Sequence, residues 1–318
     1  MPPPPPPPAG YELLDGPQPY QGGWPGTAPR SGLIPLYPMR VGEILDTGFK
    51  LLKATLKPAA LLVLIVLGPV QLLSSVGFVS PFTVLSDPDA LNASATAGIA
   101  PLAVVGGLLS LIVTPIATVG LTWLGARTDE GQTPAWQEAT RFGFRRFWPV
   151  VGAWLLALLG VIGIGVIVGV IIWLLTTSVG PAGLIIAIPL GLAFLLAAMV
   201  AFFALYLVVP VVVVEELGAT AALVRSWTMI RRRFWPLVGI ALLGGLVTSA
   251  VGLAVSSVFL IVAFIPTPFS WVFTALGSIV SSLVSAPLGA YFALAVYVDW
   301  RVRFEGYDVS VLAAELRR

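Results

Sequence analysis

Glu43 and Asp46 stand one helical turn apart, Glu215 and Glu216 are followed by Arg225, and Asp299, Arg301, Arg303 and Glu305 mix signs near the end of the chain. Paired carboxylates are the raw material of general acid–base chemistry, and charges of mixed sign can grip a partner or simply neutralise one another at a helix end. Three basic groups, Lys50, Lys53 and Lys57, then Arg141, Arg145 and Arg146, then Arg231, Arg232 and Arg233, have the chemistry to hold anionic lipid headgroups or an acidic partner. The bland readings stand beside these. Glu43 and Asp46 fit a solvated helix face, and bases flanking apolar stretches act as stop signals that hold topology. The chain has no His and no Cys, which removes thiol nucleophiles, imidazole bases, disulfides and thiolate or imidazole metal ligands.

The elements that must position these charges are apolar helices. Hydrophobic residues make up 58% of the 318 and charged residues only 10%, against roughly a quarter in a soluble domain, and the mean hydropathy is +0.97. No charged residue occurs over 147–214 or over 234–298. Each stretch is long enough for two membrane helices of about 20 residues. Breaks at Gly180 and Pro181 and at Pro266 and Pro268 divide them, and two further runs lie upstream. The sequence therefore predicts an all-α polytopic membrane protein with six transmembrane helices near 58–78, 99–124, 148–175, 182–213, 235–264 and 271–298.

Every Lys and Arg falls before helix 1, between helices 2 and 3, between helices 4 and 5, or after helix 6, whereas the alternate loops carry only Asp87 and Asp89. Positive charge marks cytoplasmic loops, so both termini are expected in the cytoplasm of a multi-pass protein of the cytoplasmic membrane. Residues 1–33, opened by a proline run and without the basic and apolar regions of a secretory signal, are expected to form a disordered cytoplasmic tail. Residues 34–308 would be the membrane domain and 309–318 a short second tail.

Residues 145–152 (Arg-Arg-Phe-Trp-Pro-Val-Val-Gly) recur at 232–239 (Arg-Arg-Phe-Trp-Pro-Leu-Val-Gly) with seven of eight positions identical, and Pro58, preceded by Lys50, Lys53 and Lys57, marks a weaker third copy. The unit is a cytoplasmic amphipathic segment followed by a helical hairpin, so the spans are expected as three hairpins. In residues 41–57, at about 100° per residue, Glu43, Asp46, Lys50, Lys53 and Lys57 share one arc and Val41, Ile44, Leu45, Leu52 and Leu56 the other. In residues 136–147, Trp136, Thr140, Phe144 and Phe147 are expected on one side. Such segments lie flat on headgroups or dock under the bundle, and both arrangements fit the pattern.

No ionisable residue falls well inside a span, which weighs against a titratable transport relay and against intramembrane hydrolysis. Pro69, Pro115, Pro189, Pro210 and Pro287 fall within or near span interiors as packing features or kinks, and Gly165 and Gly169 are expected at a helix contact.

Gly42, Glu43, Ile44, Leu45 and Asp46, then Glu215 or Glu216 leading to Arg225, Ser226 and Trp227, then the ending Asp299, Trp300, Arg301, Val302, Arg303, Phe304, Glu305 and Gly306 form a further pattern. Over residues 33–308 it resembles the membrane domain of bacterial glycerophosphoryl diester phosphodiesterases. The resemblance implies a stand-alone membrane domain, because the soluble barrel that carries His and metal-binding carboxylates in that family has no counterpart in this chain.

The expectation is a non-catalytic protein that organises membrane lipids or other membrane proteins, with no cofactor, no metal and no nucleic acid partner. Its headgroup or partner contacts would be the nine bases of the three groups, and Glu215, Glu216, Arg225, Asp299, Arg301 and Arg303 would form a charge cluster at the cytoplasmic face, with Arg225 or Arg127 pairing the glutamates. A transporter, flippase or channel with a path between the hairpins is the alternative.

Overall fold

A computed structural model describes residues 32–76, 89, 100–263, 265 and 269–307. Residues 1–31 of the expected tail, the loop with Asp87, Pro266 and Pro268 at the last break, and the expected tail at 309–318 lie outside the described residues. Those described are all-α, without a strand.

α1 (Val41–Val66) opens where the Glu43 carboxylate accepts the Arg40 backbone N–H at 2.6 Å, which satisfies a donor left free at the helix start. It runs on through Pro58 to Leu67, where the axis bends by 43° into α2 (Gly68–Ser75). Pro69 enforces the bend, since its ring collides with the carbonyl four residues earlier. α3 (Ala100–Asp129) and α4 (Trp136–Val179) follow. α4 stops at Gly180, whose φ of 66° and ψ of −148° suit only glycine, and a 3-10 turn, Gly180–Gly183, leads into α5 (Leu184–Ala204). A second 3-10 turn, Leu205–Leu207, precedes α6 (Val208–Val214), where Pro210 cannot donate to the preceding turn. α7 (Ala219–Ile230), α8 (Phe234–Ala263) and α9 (Ser270–Glu305) complete the order, and Gly306 ends α9 in the left-handed region.

Four stretches are long and apolar enough to cross a membrane: Pro101–Asp129, Trp136–Val214, Phe234–Ala263 and Ser270–Glu305. The bent α1–α2 pair makes a fifth. The 79-residue stretch contains both spans expected at 148–175 and 182–213. Within it α4 and α5 lie against each other: a Cβ at Gly165 would fall 2.9 Å from Phe194 Cζ, and one at Gly183 would strike the Leu175 carbonyl. Gly169, expected to share the contact with Gly165, faces open space.

Burial is uneven along the helices. Leu51, Leu62, Val119, Leu124, Leu207, Leu237, Tyr291, Leu294 and Val296 pack into one core near the charged ends. Away from it, Ile164, Ile167 and Trp173 of α4, Ile185 and Leu195 of α5, and Leu246 and Leu253 of α8 are exposed, Ile185 to 77%. An apolar belt of that extent suits hydrocarbon as its solvent.

The amphipathic segments are not separate elements. Residues 41–57 form the first part of α1, whose buried stripe is Ile44, Thr47, Gly48, Leu51, Leu52 and Thr55, packed on α9, while Val41 and Leu56 are exposed. Thr47 and Thr55 tolerate burial because their hydroxyls donate to the Glu43 and Leu51 carbonyls at 2.7 Å each, and the Thr55 hydroxyl meets that of Tyr291 at 2.7 Å. In the 136–147 segment of α4 the buried residues are Ala139, Phe142 and Gly143, and Phe144, expected on one side with Trp136, Thr140 and Phe147, is exposed. Phe142 stacks on Trp123 of α3. Both segments dock on the bundle, because a stripe that includes Gly and Thr allows close helix approach that a hydrophobicity wheel does not score.

Candidate functional site

Glu215 ends α6, and the chain must reverse within four residues to begin α7. It does so at Glu216, whose φ of 53° makes it the sole non-glycine residue in the left-handed region among the described residues. Such a backbone costs about 1–2 kcal/mol, and Arg146 of α4 holds it by donating to the Glu216 carbonyl at 2.9 Å and pairing with its carboxylate.

Glu215 begins a closed ring. Its carboxylate accepts from Arg225 Nε at 3.0 Å and from the Tyr297 hydroxyl at 2.8 Å. Arg225 reaches Glu305 at 2.7 Å, Arg301 Nε donates to Glu305 at 3.3 Å, and Arg301 Nη1 donates to the Tyr297 oxygen at 3.4 Å. Two carboxylates face two guanidiniums, so the ring is neutral. The hydrogen bonds that Arg225 donates to Glu305 and, next, to Glu215 raise its pKa above the ordinary value against the opposing effect of burial. Trp300 adds a bond from Nε1 to the Met229 carbonyl at 3.1 Å, which pins α9 to α7.

Asp299 lies outside the ring and is 1% exposed. A carboxylate so buried needs donors, and it has two: Arg303 Nε at 2.7 Å and the Met39 backbone N–H at 2.7 Å. Arg303 also donates to the Met39 carbonyl, so one ion pair grips both polar groups of one peptide residue. The arm before α1 is thereby strapped down, with Ile34 donating its N–H to Asp129 at the end of α3 at 2.7 Å.

The expected cluster of Glu215, Glu216, Arg225, Asp299, Arg301 and Arg303 is thus three devices joining α4, α6, α7, α9 and the arm. Glu215 pairs with Arg225 as anticipated, but Arg127 pairs with Glu130, and Arg146, expected at a headgroup, is the partner of Glu216. Lys50 pairs with Asp46 at 2.6 Å across an exposed helix turn, a contact worth little. The other seven bases, Lys53, Lys57, Arg141, Arg145, Arg231, Arg232 and Arg233, are exposed and form no ion pair among the described residues. Arg145 lies over Phe142 and Arg232 over Phe304, and Trp148 and Trp235 are exposed one turn further along their helices. Met39 and the Thr55–Tyr291 pair escaped the sequence reading; Tyr291, well inside an uncharged stretch, was the available sign.

A family model described as Domain of unknown function (DUF7847) matches residues 39–302. The chain belongs to this family. The DUF7847 match runs from Met39, the residue held by the clamp, to Val302, beside the clamping Arg303. Searches of the curated proteins and of the solved structures found no match. No group of three or more His, Cys, Asp and Glu side chains among the described residues could hold a metal ion.

Proposed function

We propose that the chain is a non-catalytic, six-pass protein of the cytoplasmic membrane that gathers anionic lipids through a collar of uncommitted bases. The observation that carries this is the division of charge at one end of the bundle. The ring and the clamp neutralise themselves inside, whereas Lys53, Lys57, Arg141, Arg145, Arg231, Arg232 and Arg233 stay exposed beside Trp148 and Trp235. Arg and Trp at the edge of an apolar belt match the headgroup layer, where each base adds about 1 kcal/mol toward an anionic surface.

In this reading the spans are α1–α2, α3, α4, α5–α6, α8 and α9, taken as three hairpins. The contacts Arg146 to Glu216, Met39 to Asp299 and Ile34 to Asp129 bring together the ends that three hairpins would place on one side, and the absence of Lys and Arg from the alternate loops supports a cytoplasmic position for that side. Six of the residues that resemble the glycerophosphoryl diester phosphodiesterase membrane domain, Glu215, Arg225, Asp299, Arg301, Arg303 and Glu305, are those of the ring and the clamp. They serve helix packing here, which fits a membrane domain that does no hydrolysis itself.

The test is lipid retention. Chain purified from membranes should carry anionic phospholipid in excess over zwitterionic lipid, the excess should fall with added salt, and replacement of the seven bases by Gln should abolish it. Equal lipid composition for wild type and variant would overturn the reading. Solute or lipid flux across vesicles containing the chain, above that of empty vesicles, would favour transport between the hairpins instead.

A further inference from the structure

Arg225, Thr228 and Met229 stand at the spacing that places them on one face of α7, and Arg232 follows in the turn beyond its end. Trp300, Phe304 and Glu305 of α9 stand opposite, and a shallow groove opens between the two sets. Its floor is rigid, because Trp300 is 2% exposed and bonded to the Met229 carbonyl. Its one acid, Glu305, is already engaged by Arg225 and Arg301. On the rim, the Arg232 guanidinium lies 5.5 Å from the Phe304 ring centre, exposed and without an acidic partner among the described residues. Positive charge in the groove is therefore in excess.

The two copies of the repeated motif differ at this point. In the first, α4 runs unbroken through Arg145, Arg146 and Pro149, and Arg146 is held by Glu216. In the second, α7 ends at Ile230, and the chain turns through Arg231, Arg232 and Arg233 before α8 begins. The turn sets Arg232 at the mouth of the groove, with Trp235 69% exposed immediately beyond it.

We infer that this groove is a site for a phosphate ester, with Arg232 as the principal donor, Phe304 supporting the guanidinium plane, and the headgroup of an anionic phospholipid as its source. The guanidinium fork matches two phosphate oxygens, and the position beside Trp235 is headgroup depth. The assignment rests on the reading of the collar as membrane-facing.

The experiment measures binding of fluorescent phosphatidylglycerol to the detergent-solubilised full chain for wild type, Arg232→Gln and Arg145→Gln. The last removes the same charge from the collar away from the groove. Arg232→Gln should weaken binding about fiftyfold, as expected for loss of a charge-assisted contact as well as a collar charge, and Arg145→Gln no more than about fivefold, the share of one collar base, with unchanged thermal unfolding in both. Equal losses would overturn the groove and leave the collar standing; no loss in either would overturn both. Unlabelled phosphatidylglycerol should displace the probe far better than inorganic phosphate. Displacement by inorganic phosphate at equal concentration would overturn the lipid source.

Discussion

The buried Asp299 carboxylate accepts the backbone N–H of Met39 at 2.7 Å, so the arm leading into the first helix is held by the last. Arg303 closes the clamp on the carbonyl of the same residue. Asp299→Asn keeps the shape and removes the charge that balances Arg303. We expect a loss of about 2 kcal/mol, less than for a fully enclosed pair because Arg303 is partly exposed, together with faster proteolysis of residues 32–40. Thermal unfolding in detergent and timed digestion measure the two effects.

Within the ring, Arg225→Gln takes an ion pair from both Glu215 and Glu305, leaves two carboxylates facing Arg301 alone, and should cost about 2–3 kcal/mol. Adding Glu305→Gln removes the excess negative charge, so the double variant should be more stable than Arg225→Gln alone. Additive losses in that cycle would mean that the ring is a set of independent surface pairs.

At Glu216 the left-handed backbone sets the order of variants. Both Glu216→Ala and Glu216→Gly lose the pair with Arg146, but only Gly relieves the strain, so the Gly variant should be the more stable of the two by about 1 kcal/mol. Chemical or thermal unfolding that ranks Ala above Gly would contradict the turn geometry.

A Cβ at Gly48 would lie 2.2 Å from Phe292 Cδ1. Gly48→Ala must push α1 off α9 or turn the Phe292 ring, at a cost of about 1–3 kcal/mol, and Phe292→Leu in the same chain should recover part of it. Gly42, where nothing lies within 4 Å of the same added atom, is the control that should change little.

The apolar spans were readable because burial in hydrocarbon forbids charge over long stretches, a property of composition that needs no contact map. The pairing of Glu215 with Arg225 was readable because α6 and α7 are joined by a short turn. The pairing of Glu216 with Arg146 was not, since the two are 70 residues apart and meet only when α4 packs beside that turn. The buried face of α1 was misplaced for a related reason: Gly48 and Thr55 carry little hydrophobic signal, yet their small volume and self-satisfied hydroxyl let Phe292 and Tyr291 approach. Two nearly identical octapeptides also gave no sign that one would continue a helix and the other interrupt it. The two copies also differ in surroundings: Arg146 is paired with Glu216, whereas Arg233 has no acidic partner among the described residues.

The unbroken α4 has a mechanical consequence. Its 44 residues form a rod about 66 Å long, roughly twice the thickness of the hydrocarbon layer. Tilting such a rod by about five degrees would sweep its far tip through about 6 Å, so a tilt imposed near Ile167 or Trp173 would strain the packing of Ala139 and Phe142 at the opposite end. The turn ahead of α8 breaks the corresponding lever on the other side.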